Sequence, residues 1–128
     1  MCKSEEKDSV AKIDLSKNNI GDQGIKYIAE ALCKVHSVIS LDLSSNSITA
    51  EGGAELINLL MYNFSLIDLN LSSHEGLQRN TLGPAGVKPM RELLNVNRFI
   101  TILNLAGNFI GDLGICYLGE GLKRHPVN

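Results

Sequence analysis

A repeat of 28 residues is the feature of this sequence that most limits the folds open to it. The segment that starts at Val10 matches the segment that starts at Val38, an offset of 28 residues (38 − 10). A third copy opens at Leu66 and a fourth at Ile100. Self-similarity at a period of roughly 20 to 50 residues is typical of solenoids and other repeat architectures. The chain is therefore expected to be an array of equivalent units.

The third copy is longer than the others. It runs from Leu66 to the start of the fourth copy at Ile100, a spacing of 34 residues (100 − 66) in place of 28. The asparagine and the leucine of the pattern reappear late, at Asn80 and Leu82. We therefore place the extra residues at 74–79, between the predicted strand and the predicted helix of that copy.

Each copy combines two hydrophobic periodicities. Ile13 and Leu15 alternate with polar residues, which predicts a short, half-buried strand. Ile25, Ile28 and Leu32 then recur at helical spacing. Because neither element can bury its apolar face alone, the copies are expected to stack into a parallel sheet on one side and a row of helices on the other.

Asparagine, glycine and proline mark the turns of each copy. We expect four asparagines to bond to backbone groups that leave the strand ladder: Asn18, Asn46, Asn80 and Asn108. Four glycines lie where the helices begin and are expected to allow close backbone approach to the strand side: Gly24, Gly52, Gly86 and Gly114. Pro84 suits the first position of a helix, whereas Pro89 predicts a late or irregular third helix.

The full pattern resembles the ribonuclease-inhibitor class of leucine-rich repeat. It is written Leu-x-x-Leu-x-Leu-x-x-Asn-x-Ile-x-x-x-Gly-x-x-x-Leu-x-x-x-Leu and covers roughly Val10 to Lys123. The resemblance implies an α/β leucine-rich repeat solenoid, a right-handed superhelix with a parallel sheet on its concave side and helices on its convex side. The predicted organisation is a disordered segment at 1–9 and a repeat domain at 10–128, with repeats at 10–37, 38–65, 66–99 (insert 74–79) and 100–128.

Charge and composition exclude several classes of partner. The chain has 128 residues, with 12 basic and 14 acidic side chains and a net charge of -2, so it lacks the basic stripe of a nucleic-acid-binding protein. No apolar run approaches the roughly 20 residues that span a bilayer, and residues 1–6 lack the apolar run of a signal peptide. The three cysteines are too far apart for a zinc site and indicate free thiols in a reducing compartment: Cys2, Cys33 and Cys116. The expectation is a cytoplasmic protein with no cofactor, no metal, no nucleic-acid partner and no membrane contact.

The polar positions of the strands are the first candidate binding surface. Residues that flank the buried leucines point to the concave face, and we select Lys12, Asp14, Ser40, Asp42, Asp68, Asn70, Ile102 and Asn104. One interpretation is a mildly acidic docking surface for a basic segment. The other is that the aspartates belong to the repeat motif and satisfy neighbouring backbone. The second is somewhat favoured, because this face has none of the Trp, Tyr and Arg residues that dominate binding hot spots.

The insert at 74–79 is the second candidate surface. Insertions in solenoids map to loops on one side and often carry recognition. Four of its side chains can form hydrogen bonds with a partner: His74, Glu75, Gln78 and Arg79. The alternative, a tolerated surface loop without a role, carries equal weight at this stage.

The last strand is the third candidate surface. The segment at 100–105 is the most apolar of the four and would form an open sheet edge. Stable monomers avoid such edges, and solenoids usually need caps. Either the chain is a piece of a longer array, or the edge at Ile102 pairs with a second copy in a homodimer or with another protein. A frayed but tolerable end is the third alternative.

No catalytic constellation is found in the sequence. His36, His74 and His125 fall in different copies, without a Cys or Ser at a telling spacing. The class that the pattern resembles includes ribonuclease inhibitors, activators of the Ran GTPase, actin-capping tropomodulins and innate immune sensors, which mostly bind other proteins. We therefore predict a non-catalytic protein-interaction module. The alternative, by analogy with that class, is a regulator of a small GTPase or of actin.

Overall fold

Strands and helices alternate along the chain. A computed structural model describes residues 11–123, so the predicted disordered segment 1–9 lies outside the described residues. The elements are β1 (Ala11–Asp14), α1 (Gly21–Leu32), β2 (Val38–Asp42), α2 (Ala50–Leu59), β3 (Asp68–Asn70), α3 (Gly83–Val87), α4 (Met90–Val96), β4 (Ile102–Asn104) and α5 (Gly111–Lys123). A 3₁₀ turn at Leu60–Tyr62 follows α2 directly.

The four strands form one parallel sheet in the order β1-β2-β3-β4. Equivalent residues of successive units lie opposite one another, as Ile13 does with Leu41 and Leu69 with Leu103. The helices of successive units pack against each other in a second layer. The predicted α/β leucine-rich repeat solenoid of four strand–helix units is confirmed.

The core lies between the sheet and the helices and is densest in the two middle units. Leu43 and Leu71 of the strand segments and Leu56 and Met90 of the helices are completely buried. The equivalent residues of the first and last units pack against this core but are only partly buried. Each unit therefore depends on a neighbour on either side for burial, as expected for a solenoid.

The third helix is irregular, as Pro89 predicts. Pro84 occupies the first turn of α3, where its missing N–H leaves no hydrogen bond unmade. The helix is interrupted at Lys88 and Pro89 and resumes as α4 at Met90. Because proline lacks an N–H and its ring clashes with the preceding turn, the third unit contains two short helices in place of one.

The four asparagines form a ladder that links the units, which confirms their predicted role. Asn46 Oδ1 accepts hydrogen bonds from the backbone N–H groups of Asn18 (2.9 Å) and Ile20 (3.1 Å). Asn80 Oδ1 does the same for Asn46 (2.9 Å) and Ile48 (3.0 Å) of the preceding unit. Their amide N–H groups donate to carbonyls at the strand ends. The ladder thus satisfies buried backbone groups beyond the end of the sheet.

A second, shorter ladder of asparagines was not predicted. Asn63 donates to the carbonyl of Leu32 in the preceding unit (2.9 Å), and Asn97 donates in the same way to the carbonyl of Leu60 (3.1 Å). Each also accepts two N–H bonds from the loop that leads into the next strand. Both side chains are buried. They tie the C-terminal end of one helix to the next.

The glycines at the helix starts allow a close approach, but not to the strands. A Cβ at Gly52 would lie 3.0 Å from the Cα of Asp22, at the start of the preceding helix. A Cβ at Gly86 would lie 3.1 Å from the Cα of Ala50, again in the preceding helix. The expected contact with the strand side is therefore replaced by helix-to-helix contact, because equivalent helix starts lie side by side in the stack.

Candidate protein-binding surface

The parallel register brings the predicted concave residues together in two rows. Pairing across the sheet places Lys12, Ser40, Asp68 and Ile102 in the first row. The second row, two residues further along each strand, contains Asp14, Asp42, Asn70 and Asn104. In the first row a lysine and an aspartate flank a serine, and Ile102 ends the row at the edge of the sheet, 54% exposed.

The second row is occupied largely with its own backbone. Each of its four side chains accepts a hydrogen bond from the N–H two residues later, at 2.9 Å for Asp14, Asp42 and Asn70 and 3.0 Å for Asn104. Asp14 also accepts a bond from the Ser16 hydroxyl (2.7 Å). That hydroxyl and then the Ser16 N–H lower the pKa of Asp14 below its usual value, against a small opposing effect of burial. This geometry favours the motif interpretation of the aspartates, since one oxygen of each ends a strand.

The insert is anchored to the second unit. The N–H of His74 donates to the Ser45 hydroxyl (2.8 Å), and the N–H of Ser47 donates to the carbonyl of Gln78 (3.0 Å). Between these two anchors, residues 74–77 are exposed and Leu77 is fully so. The insert therefore projects from a fixed base at the C-terminal ends of the strands, beside the concave face.

Arg79 extends from the insert to the fourth unit. Its guanidinium lies over the ring of Phe109, 5.1 Å from the centroid, and donates to the carbonyl of Gly107 (3.4 Å). Two buried side-chain atoms within residues 11–123 lack a hydrogen-bond partner, and both are in the insert: Gln78 Oε1 and Arg79 Nε. Unpaired buried polar atoms are rare in folded proteins, so the insert is the part of the described chain with polar groups still to satisfy.

Phe109 is a candidate binding residue that the sequence analysis missed. Its side chain is 67% exposed and its φ is +55°, a left-handed backbone that costs an L-residue roughly 1–2 kcal/mol. Asn19 and Ser47 adopt the same conformation at the equivalent positions. The available signal was the repeat itself, because a bulky aromatic replaces small polar residues at this turn.

We define the rim surface as Leu77, Arg79 and Phe109. An exposed leucine and an exposed aromatic ring lie on either side of an arginine, all at the C-terminal ends of β3 and β4. Arginine and aromatic residues are enriched among binding hot spots. The rim surface thus has the side-chain chemistry that the concave rows lack.

The comparison with known families agrees with this architecture. A family model described as Leucine Rich repeat matches residues 9–29, 36–56 and 96–118, just over half of the chain. The chain belongs to the leucine-rich repeat family. The matched ranges leave out most of the third repeat, which carries the insert and the interrupted helix. The part of this leucine-rich repeat protein that departs most from the family pattern is therefore also the part that forms the rim surface.

The fold is shared with a solved domain of another leucine-rich-repeat-like protein. The C-terminal domain of tropomodulin from Caenorhabditis elegans superposes with a TM-score of 0.52 at 15% sequence identity, over 94% of this chain and 87% of that one. At this identity the likeness shows the fold alone. No curated protein sequence matches the chain.

The opposite edge of the sheet carries a second group of exposed aromatic residues. His36 stacks on Phe64 with ring centroids 5.3 Å apart, and Phe64 meets Phe99 edge to face at 6.3 Å. These rings lie in the helix-to-strand loops of three successive units of the leucine-rich repeat. They were not predicted, because they occupy different positions of the repeat and come together only in the stack.

The described residues show no grouping typical of catalysis. No group of three or more His, Cys, Asp or Glu residues within 11–123 is placed to hold a metal ion, and His74 is exposed in the insert. In the same range Cys33 and Cys116 are free thiols. None of the helices described is both long and apolar enough to cross a membrane.

Proposed function

We propose that this leucine-rich repeat chain is a non-catalytic protein-interaction module that binds its partner chiefly through the rim surface. Leucine-rich repeats generally mediate protein–protein interaction. We further propose that it belongs to the ribonuclease-inhibitor-like subclass, on the basis of its 28-residue period, and that it acts in the cytoplasm. The observation that carries the proposal is Phe109, an exposed ring on left-handed backbone beneath Arg79.

The energetic argument rests on what the turn at Phe109 costs. A residue in unfavourable backbone conformation lowers stability and is expected where function requires it. Asparagine in the same conformation carries little cost, and this chain uses it at Asn19. The chain therefore sacrifices stability at this turn to display an aromatic ring.

The concave rows and the β4 edge have secondary roles in the proposal. Lys12, Asp68 and Ile102 of the first row have their side chains free of strand-end hydrogen bonds and lie next to the rim surface. They extend the contact for a partner whose apolar segment meets the rim surface. The edge at Ile102 is the proposed contact between two copies of the chain.

Replacing Phe109 by asparagine separates binding from stability. We expect Phe109→Asn to raise the melting temperature, or to leave it unchanged, because asparagine accepts the left-handed conformation. We expect the same change to weaken partner binding at least about tenfold, as for a hot spot worth about 1.4 kcal/mol. Partners captured from cytosolic extract by the unmodified chain are identified by mass spectrometry, and the affinity of each purified partner is measured by calorimetry.

Tyr27→Ala is the matched control for that experiment. Tyr27 is an aromatic residue of similar exposure (65%) on α1, in the helical layer, and its loss is expected to leave the affinity unchanged. Arg79→Ala should weaken binding in the same direction as Phe109→Asn. A partner that binds Phe109→Asn and the unmodified chain with equal affinity would remove the rim surface from the proposal.

The alternative function is regulation of a small GTPase or of actin. It is tested with purified proteins: GTP hydrolysis by candidate small GTPases with and without the chain, and co-sedimentation with actin filaments. On the interaction-module proposal we expect unchanged hydrolysis rates and no enrichment in the actin pellet. An increase in hydrolysis, or saturable co-sedimentation, would favour the alternative.

A further inference from the structure

Core positions of the repeat are exposed at both ends of the stack. Leu60 in the second unit is completely buried, whereas Leu122, at the equivalent position of the fourth unit, is 60% exposed. At the other end Ile13 is 38% exposed, whereas its equivalent Leu69 is completely buried. Each end is thus a surface that a further unit would bury, and no residue within 11–123 covers either one.

The two ends have the same apolar character. The C-terminal end is lined by Leu94, Ile100, Thr101, Leu103, Leu105, Leu118 and Leu122. The N-terminal end is lined by Ile13, Leu15, Ile28, Ala31, Leu32, Val35, Val38 and Leu41. Inside the stack these two kinds of surface meet at every junction between units. The ends are therefore complementary in shape by construction of the repeat.

Backbone hydrogen bonds beyond the strands run in one direction through the stack. The N–H of Leu15 donates to the carbonyl of Asp42, and the N–H of Leu71 donates to the carbonyl of Asn104, both at 2.8 Å. By the same register the N–H of Leu105 points out of the C-terminal end, and the carbonyl of Asp14 points out of the N-terminal end. One end offers donors and the other offers acceptors.

The asparagine ladder has the same polarity. Each asparagine accepts N–H bonds from the unit before it, as Asn46 does from Asn18. At the N-terminal end Asn18 Oδ1 accepts no bond from the residues described, and at the C-terminal end the N–H of Asn108 donates none. An Asn18 placed after Asn108 would continue the ladder.

We propose that copies of this chain associate head to tail, with the N-terminal end of one stacked on the C-terminal end of the next. The proposal rests on the self-association at the β4 edge proposed above and specifies its geometry. A twofold pairing of β4 with β4 would bring together two ends that both present donors from the turn after the strand. Head-to-tail stacking pairs those donors with acceptors and buries both apolar ends.

This contact is heterologous, so it leaves one free end of each kind and can propagate. We expect the average mass in solution to rise steadily with concentration, without a plateau at the dimer. Light scattering over a wide concentration range measures this.

Two blocking variants test the polarity of the contact. Leu122→Glu places a charge on the C-terminal end, and Ala31→Glu places one on the N-terminal end. Both residues are exposed, so the fold should survive, which circular dichroism checks. Each variant alone is expected to be a monomer, and an equimolar mixture is expected to form a one-to-one complex of dimer mass. Asn58→Glu, an exposed position on α2, adds the same charge away from both ends and should associate like the unmodified chain.

Three results would overturn the proposal. Ala31→Glu that dimerises alone would indicate twofold pairing of β4. A mixture that stays monomeric while the unmodified chain associates would exclude the end-to-end contact. An unmodified chain that remains a monomer at every concentration would exclude self-association altogether. Partner binding at the rim surface is measured separately and does not depend on Leu122 or Ala31, so failure of one proposal is distinguishable from failure of the other.

Discussion

Replacement of Asn80 by alanine is expected to lower the free energy of unfolding by about 3–5 kcal/mol. The side chain is completely buried and accepts bonds from two backbone N–H groups. It also donates to the carbonyls of Leu43 and Leu71 (both 3.1 Å) and of Ser72 (3.2 Å). Each buried group left without a partner costs about 1–3 kcal/mol. Urea denaturation followed by circular dichroism measures the loss.

Asn18→Ala is the control, because Asn18 occupies the same place at the end of the ladder. Its amide donates only to the carbonyls of Leu15 and Ser16, both in exposed surroundings. Water can replace these bonds, so the expected loss is below about 1 kcal/mol. Equal losses for the two variants would mean that burial of the ladder contributes nothing and that the turn alone requires asparagine.

The difference between these two asparagines shows what the sequence could and could not predict. The repeat assigns all four asparagines the same role, and the structure confirms it. Their unequal energetic weight follows from stacking, since Asn80 is enclosed by units on both sides and Asn18 is not. A sequence pattern identifies equivalent positions, but burial depends on how many neighbours each unit has.

The candidate site was less predictable than the fold. The insert was located from the spacing of the repeat alone. Its contact with the fourth unit was not predicted, because Arg79 and Phe109 lie in different repeats and meet only across the stack. The same limit applies to His36, Phe64 and Phe99. Residues that depart from the repeat carry no periodic signal, and their association is a tertiary contact.

The second asparagine ladder was missed for a different reason. Asn63 and Asn97 hold equivalent places in two units, whereas the first unit has Val35 there. A position filled alike in two copies is too weak a pattern to assign a role. Its function appears only when the carbonyls at the end of the preceding helix are seen to be its partners.

Replacement of Gly52 by alanine is expected to destabilise the protein by about 2–3 kcal/mol. A Cβ would lie 2.8 Å from Asp22 Cγ and 3.0 Å from Asp22 Cα, closer than real Cβ contacts allow. The Asp22 carboxylate cannot move away freely, because it accepts bonds from the N–H of Thr49 (2.8 Å) and from its hydroxyl. The helices α1 and α2 would have to separate, and overpacking of this kind costs about 1–3 kcal/mol or more.

Gly119→Ala is the matched control and should change stability in the opposite direction. Gly119 lies within α5 and a Cβ there meets nothing within 4 Å, so only helix propensity acts, and alanine is favoured by about 0.8–1 kcal/mol. Thermal denaturation of the two variants measures both effects. If Gly52→Ala were also stabilising, the close contact between the helix starts would not limit the stack. Opposite signs would show that the same residue type serves packing at one position of the repeat and only weakens a helix at another.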